Sequence, residues 1–194
     1  MKKLFAVCIV GLCLGTAVFA NHPSGWGVGF VGNYGFSGDL GVGGAALSLK
    51  APSLPIYWGI GLSLSTGGFG FGVTGDYYLM EGLWAPIQGD DGFGYFIGLG
   101  GYVDFNTWGQ KTTYLNKEYK GNHTTIGLGA RVPIGVNVVI PISSIKLEVF
   151  VDAAPHLGLG ISLYSGNYYD YNSKGDMLGL GVGVSGEFGV RVWF

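Results

Sequence analysis

Past position 20 the chain has no cysteine. Both thiols, Cys8 and Cys13, lie in the first twenty residues, which excludes a disulfide framework, thiol catalysis and cysteine metal ligation everywhere else. Charge is scarce as well: Asp, Glu, Lys and Arg make up 11% of the 194 residues, against about 25% in a soluble globular domain. An ordinary cytosolic enzyme is not expected from such a composition. Long apolar runs are also missing beyond residue 20, because glycine interrupts each one before the ~18 residues that a membrane helix requires. Mean hydropathy is nevertheless positive, +0.38. Three scattered histidines, His22, His123 and His156, stand alone and offer no metal cluster. What the chain has in abundance is glycine, 39 residues, and aromatic side chains, 15%.

The first twenty residues read as a secretory leader. Lys2 and Lys3 precede the apolar stretch from Leu4 to Leu14, and Ala17-Val18-Phe19-Ala20 supplies a small-residue exit with cleavage expected after Ala20. A retained anchor is the alternative, but 17 residues from Leu4 to Ala20 are short for a bilayer. Lipidation at Cys13 is disfavoured by the bulky Leu12 before it. The domain expected after removal is 21–194. Without Lys2 and Lys3 it carries 8 basic and 12 acidic side chains, a formal charge of −4. A nucleic-acid partner needs a basic surface and is not expected.

From Trp26 onward apolar residues recur at every second position, the period of a strand with one face in an apolar medium. Ile56, Trp58, Ile60, Leu62 and Leu64 point one way, Tyr57, Gly59, Gly61, Ser63 and Ser65 the other. Phe69 to Tyr78, Phe93 to Phe105, Thr124 to Val132, Ile145 to Leu163 and Leu178 to Phe194 repeat the scheme; Trp26 to Phe36 and Leu40 to Leu49 do so more weakly. Connections are expected near 37–39, 50–55, 66–68, 79–92, 106–122, 133–144 and 164–177. Pro155 cannot donate to a ladder and is expected at a bulge or a broken pair.

The fold expected is all-β: an eight-stranded antiparallel up-and-down transmembrane β-barrel, even in strand number as closed bacterial barrels are. With the amino terminus on the periplasmic side, 106–122 and 164–177 lie outside the cell. The competing reading is a soluble β-sandwich. It would carry Lys, Glu, Ser and Thr on its alternate face, whereas glycine dominates here. Trp26, Tyr77, Phe93 and Tyr95 would mark one membrane interface, and Tyr34, Phe36, Phe69 and Phe105 the other.

The final strand alternates Phe188, Val190, Val192 and Phe194, an expected assembly signal: it can add to an open sheet edge while its apolar side chains face lipid. In Asp76-Tyr77-Tyr78-Leu79, Gly94 to Gly101, Gly129 to Gly135, Leu147 to Pro155 and Gly189 to Phe194, the chain resembles the small eight-stranded outer-membrane barrels of the OmpA transmembrane-domain, OmpX and OmpW type. Within these it is similar to a bacterial group found in spirochaetes among others. The resemblance covers the second half well and the first half poorly. It implies an integral outer-membrane protein with surface-exposed loops, in contact with outer-membrane lipid and the assembly machinery. It supplies no catalytic residue and no cofactor.

The inward face gathers Asp76, Arg131, Lys146, Glu148, Asp152, Glu187 and Arg191, four acids and three bases. In so narrow an interior these need pairing, as a structural plug or as a relay for protons or solutes. The inward glycines point either to unfilled lumen or to crowding around Tyr57, Phe96 and Tyr102. Asp152, His156 and Ser162 share a strand face, but at ~3.3 Å per residue they stand ~13 and ~20 Å apart, too far for a triad. A lipid-modifying enzyme is the remote alternative. The loop residues Tyr164, Tyr168, Tyr169 and Tyr171, among Ser, Gly and Asn, have the composition of a binding loop for an extracellular host or matrix ligand. An interfacial aromatic edge with ordinary polar loop filler is the competing reading, and the composition fits it slightly better. The functional expectation is a non-enzymatic barrel serving envelope integrity or surface binding, with a narrow channel for small or hydrophobic solutes as its rival.

Overall fold

The computed structural model describes residues 22–35, 44–65, 68–114, 117–166 and 177–194. Among them no helix occurs, and nine strands follow one another: β1 (Gly27–Gly35), β2 (Gly44–Lys50), β3 (Tyr57–Ser65), β4 (Gly68–Gln88), β5 (Asp91–Tyr114), β6 (Lys117–Arg131), β7 (Ile134–Ile142), β8 (Ile145–Gly166) and β9 (Met177–Trp193). All pairings are antiparallel. Strands β1 to β6 pair in sequence order, β6 pairs with β8, β8 with β9, and β9 returns to β1. The sheet therefore closes in a ring.

Strand β7 shares the gap between β5 and β8 with β6, and continues its register. Arg131 faces Gly100 and His156, while Ile134 faces Ile97 and Ala153, the same step along every strand. The interruption has a chemical cause, since Pro133 has no N–H for the ladder. Its carbonyl still accepts from Gly98 N at 2.8 Å, and Val132 N donates to the Pro155 carbonyl at 2.9 Å. Pro155 thus lies in register opposite Val184 on β9, with the break on its other side. The ring has eight or nine strands according to whether β6 and β7 are counted together.

Three expected connections are largely strand instead. Residues 106–114 and 117–122, expected as an external loop, continue β5 and β6 and pair with each other as far as Tyr114 opposite Lys117. Residues 79–88 extend β4 and pair with the start of β5, the turn being Gly89-Asp90 with Gly89 at a φ of +60°, the left-handed region that glycine enters at no steric cost. Irregularities between Tyr78 and Met80, Leu83 and Ala85, and Pro86 and Gln88 break the period-two signal there. Residues 134–142 form β7, and the turn is Ser143-Ser144, with Ser143 at a φ of 57°.

The ring is staggered. Partners followed from Gly27 through Lys50, Tyr57, Asp76, Gly100, Arg131 and His156 lead to Gly183, whereas Gly27 itself pairs with Trp193, ten residues further along β9. Inside lies a small apolar cluster of Val31, Phe96 and Phe150, packed with Ala46 and Tyr78. Glycines make room for these rings. A Cβ on Gly135 would stand 2.4 Å from Phe96 Cζ, and one on Gly189 2.2 Å from Phe150 Cζ. Crowding by rings therefore accounts for these inward glycines.

Candidate functional site

The chemistry-bearing side chains converge on the ring interior in two clusters. The first surrounds Glu148, which is fully buried. Arg191 Nη1 donates to its Oε2 at 3.1 Å and Trp193 Nε1 at 2.9 Å, while Asn137 Nδ2 donates to Oε1 at 3.0 Å. His22 Nε2 approaches Oε1 at 2.8 Å, and His22 Nδ1 lies 3.2 Å from Glu81 Oε2. Arg191 Nε donates to Ser48 Oγ at 2.7 Å, and its guanidinium sits 4.1 Å from the Phe150 ring centre and 4.9 Å from that of Tyr57. Such contacts with ring faces favour a desolvated cation. Tyr57, Tyr78 and Phe96 stack in turn at 4.1 and 4.5 Å. Rings and ion pairs together fill this end of the lumen.

Burial works against a charged His22, but the neighbouring Glu148 and Glu81 carboxylates outweigh it and hold its pKa above the ordinary 6.5. His22 precedes β1, so residues 22–26 fold back into the ring to reach this place.

The second cluster centres on Arg131. Its Nη1 lies 2.6 Å from Glu187 Oε1, and its Nε 3.1 Å from Asp76 Oδ1, the latter a charge contact without hydrogen-bond alignment. Asp152 sits directly across from Glu187 in the β8–β9 register. Like charges so placed repel, and the Arg131 guanidinium, reaching across the lumen to Glu187 on β9 and Asp76 on β4, offsets that repulsion. Beyond this cluster, toward the strand ends at Gly35, Ser65 and Gly166, lies a cavity of about 80 Å³ lined in part by Tyr102, Asp104 and His156.

Of the sequence-expected lumen charges, Asp76, Arg131, Asp152 and Glu187 come together, and Glu148 pairs with Arg191. Lys146 stands apart: it meets Asp91 at 2.8 Å near the short turns and is 40% exposed. Ser162 lies by Thr125 at 3.5 Å, and His156 Nδ1 by the Ala154 carbonyl at 3.2 Å. Phe188, Val190, Val192 and Phe194 line the outer face of the closing strand or its end. Tyr168, Tyr169 and Tyr171 lie outside the described residues, and only the backbone of Tyr164 is described, opposite His123.

Sequence reasoning missed His22, Glu81, Asn137 and Ser48. An isolated histidine before the first strand carries no periodic signal. Glu81 has the parity of outward Tyr77 and Leu79, and the irregularity between Tyr78 and Met80 turns it inward opposite Phe96; re-aiming a side chain is what bulges do. Asn137 falls in a segment read as a connection. Among the described residues no group of three or more His, Cys, Asp or Glu side chains is arranged to hold a metal ion. No protein-family model, curated protein or solved structure matches this chain.

Proposed function

We propose that the chain forms an eight-stranded transmembrane β-barrel of the bacterial outer membrane, a non-enzymatic wall protein whose lumen is plugged and whose long connections face the cell exterior. One observation carries this reading, the inverted polarity of the ring. Among the described residues 36 large apolar side chains are exposed, while the buried set holds 7 apolar against 13 polar or charged residues. A water-soluble sandwich has the opposite distribution. A closed ring also satisfies backbone groups internally, as lipid demands.

The dimensions agree. With β6 and β7 counted as one strand, a ten-residue stagger tilts eight strands by roughly 40°. From Phe93 to Phe105, outward residues then cover roughly 30 Å along the axis, enough for the ~25 Å apolar band of an outer-membrane barrel. Trp26, Tyr77 and Phe93 are exposed toward the short turns, Phe69 and Phe105 toward the other end, in keeping with aromatic girdles.

A plugged wall is favoured over a channel because Glu148, Phe96 and Trp193 are almost wholly buried across one end of the lumen. The deciding experiment combines two measurements on the full chain refolded in detergent. A heat-dependent shift in gel mobility is expected of the closed barrel, together with no conductance in planar bilayers. Solubility without detergent overturns the membrane reading, whereas stepwise conductance overturns only the plug. Surface binding by the tyrosine-rich loop is part of the proposal: deleting residues 168–171 is expected to lower attachment of intact cells to host or matrix ligands, and unchanged attachment removes it.

A further inference from the structure

Of residues 22–26, the arm that precedes β1, His22 alone is buried; Pro23 and Gly25 are half-buried, and Ser24 and Trp26 are exposed. The arm joins the ring at the Trp26 carbonyl, which accepts from Phe194 N at 2.9 Å. Past that point His22 anchors it. Its main-chain N–H donates to Glu81 Oε2 at 3.4 Å. Its imidazole fills a seat walled by Glu81, Glu148 and the rings of Tyr57, Tyr78, Phe96 and Trp193, whose centres lie 5.0–6.3 Å from its own.

The seat is shaped for a cation. Nε2 stands 2.8 Å from Glu148 Oε1, and Nδ1 stands 3.2 Å from Glu81 Oε2. A neutral imidazole has one N–H and a lone pair on its other nitrogen, so one of the two carboxylates would face that lone pair. An imidazolium turns a hydrogen toward each. The surrounding rings add their attraction for a desolvated cation. Charged groups face the seat from four strands: Glu81 on β4, Glu148 on β8, Arg191 on β9 and Lys50 on β2. Arg191 donates to the other Glu148 oxygen, and the Lys50 ammonium donates to the Ala51 carbonyl at 2.8 Å. Tyr57 on β3 and Tyr78 on β4 bring phenols, while β5 and β7 present the uncharged Phe96 and Asn137.

We propose that this seat is a recognition site for an imidazolium group, which the chain fills with its own His22 and which, once the arm is withdrawn, takes a small heteroaromatic cation from the fluid beyond the short turns. The inference rests on the barrel reading above, and its test separates the two. His22→Gly empties the seat and keeps both carboxylates. The full chain carrying it, refolded in lipid vesicles, is unfolded in urea with imidazole, with pyrazole as a neutral ring of the same size, or with sodium chloride. Imidazole is expected to raise the urea midpoint saturably at about pH 6 and to lose that effect at about pH 9, where it is neutral. Its affinity is expected to exceed that of pyrazole by about tenfold or more. The natural chain, with its seat filled, is expected not to respond.

Adding Glu81→Gln to His22→Gly is expected to weaken imidazole roughly threefold. Equal action of pyrazole, an equal response of the natural chain, unchanged affinity in the double variant, or no effect beyond that of sodium chloride overturns the proposal. Should His22→Gly refold with none of the probes, the natural chain decides through its side-chain ¹⁵N resonances. Those of His22, identified by proximity to Phe96 and Trp193, are expected to show both nitrogens protonated at about pH 7, and a neutral tautomer overturns the proposal. Absence of the heat-dependent mobility shift in the natural chain overturns the barrel reading, whereas its presence without imidazole binding overturns only the seat.

Discussion

Replacing Glu148 by alanine removes the acceptor on which Arg191, Trp193, Asn137 and His22 converge. The guanidinium of Arg191 is 4% exposed, and a buried cation that loses its carboxylate costs about 3–5 kcal/mol. The indole and amide donors add roughly 1 kcal/mol each, and some is recovered as water enters. The expected loss is about 4–6 kcal/mol, a large share of the 5–15 kcal/mol that stabilises a typical protein. Urea titration in lipid vesicles, read by tryptophan fluorescence and by heat-dependent gel mobility, measures it. Glu148→Gln, which keeps the shape and loses the charge, is expected to fall between alanine and the natural residue. Converting both Glu148 and Arg191 to Met removes the uncompensated charge along with its partner, so the loss is expected to shrink to the roughly 1 kcal/mol each of the Trp193 and Asn137 donors left without their acceptor. A Glu148→Ala protein within about 0.5 kcal/mol of the natural chain would refute the view that this carboxylate organises the plugged end.

Leu128, 57% exposed on the outer face, tests the surrounding medium: Leu128→Arg is expected to cost about 2–4 kcal/mol in vesicle refolding if lipid lies against it, and a loss under about 0.5 kcal/mol would indicate water. Gly189→Ala places a methyl 2.2 Å from Phe150 Cζ and 2.9 Å from the Phe30 carbonyl, so a loss of about 1–3 kcal/mol is expected from the same titration. Ser143→Gly relieves a φ of 57° in the β7–β8 turn and is expected to raise stability by about 1 kcal/mol. The raised His22 pKa means that its tie to Glu148 and Glu81 contributes fully below about pH 6.5 and is lost as pH climbs through the higher folded value. The protection of residues 22–26 against hydrogen exchange, taken relative to the intrinsic amide rate at each pH, is therefore expected to fall as pH rises above about 6.5, and to lose that dependence in His22→Gln; protection that does not change with pH in the natural chain would refute the tie.

Alternation by itself determined which side chains share a face. Successive strand residues point to opposite sides, so Trp58, Ile60 and Leu62 against Tyr57, Gly59 and Gly61, or Glu148, Asp152 and Arg191 against Val149, Val151 and Val190, could be sorted without coordinates. The antiparallel all-β class and most of the inward charges were legible for that reason.

Closure of the ring decided the rest, because pairing partners depend on register between strands distant in sequence. Only the folded chain assigns Arg131 to Asp76 and Glu187, and Arg191 to Glu148, and leaves Lys146 to Asp91. It alone carries β6 past Pro133 into β7, reverses the parity of Glu81 through an irregular step after Tyr78, and brings His22 back inside the ring. A proline without a donor, a single extra residue in a strand and a solitary histidine each leave too little periodic trace to read, yet each redirects a side chain that the lumen needs.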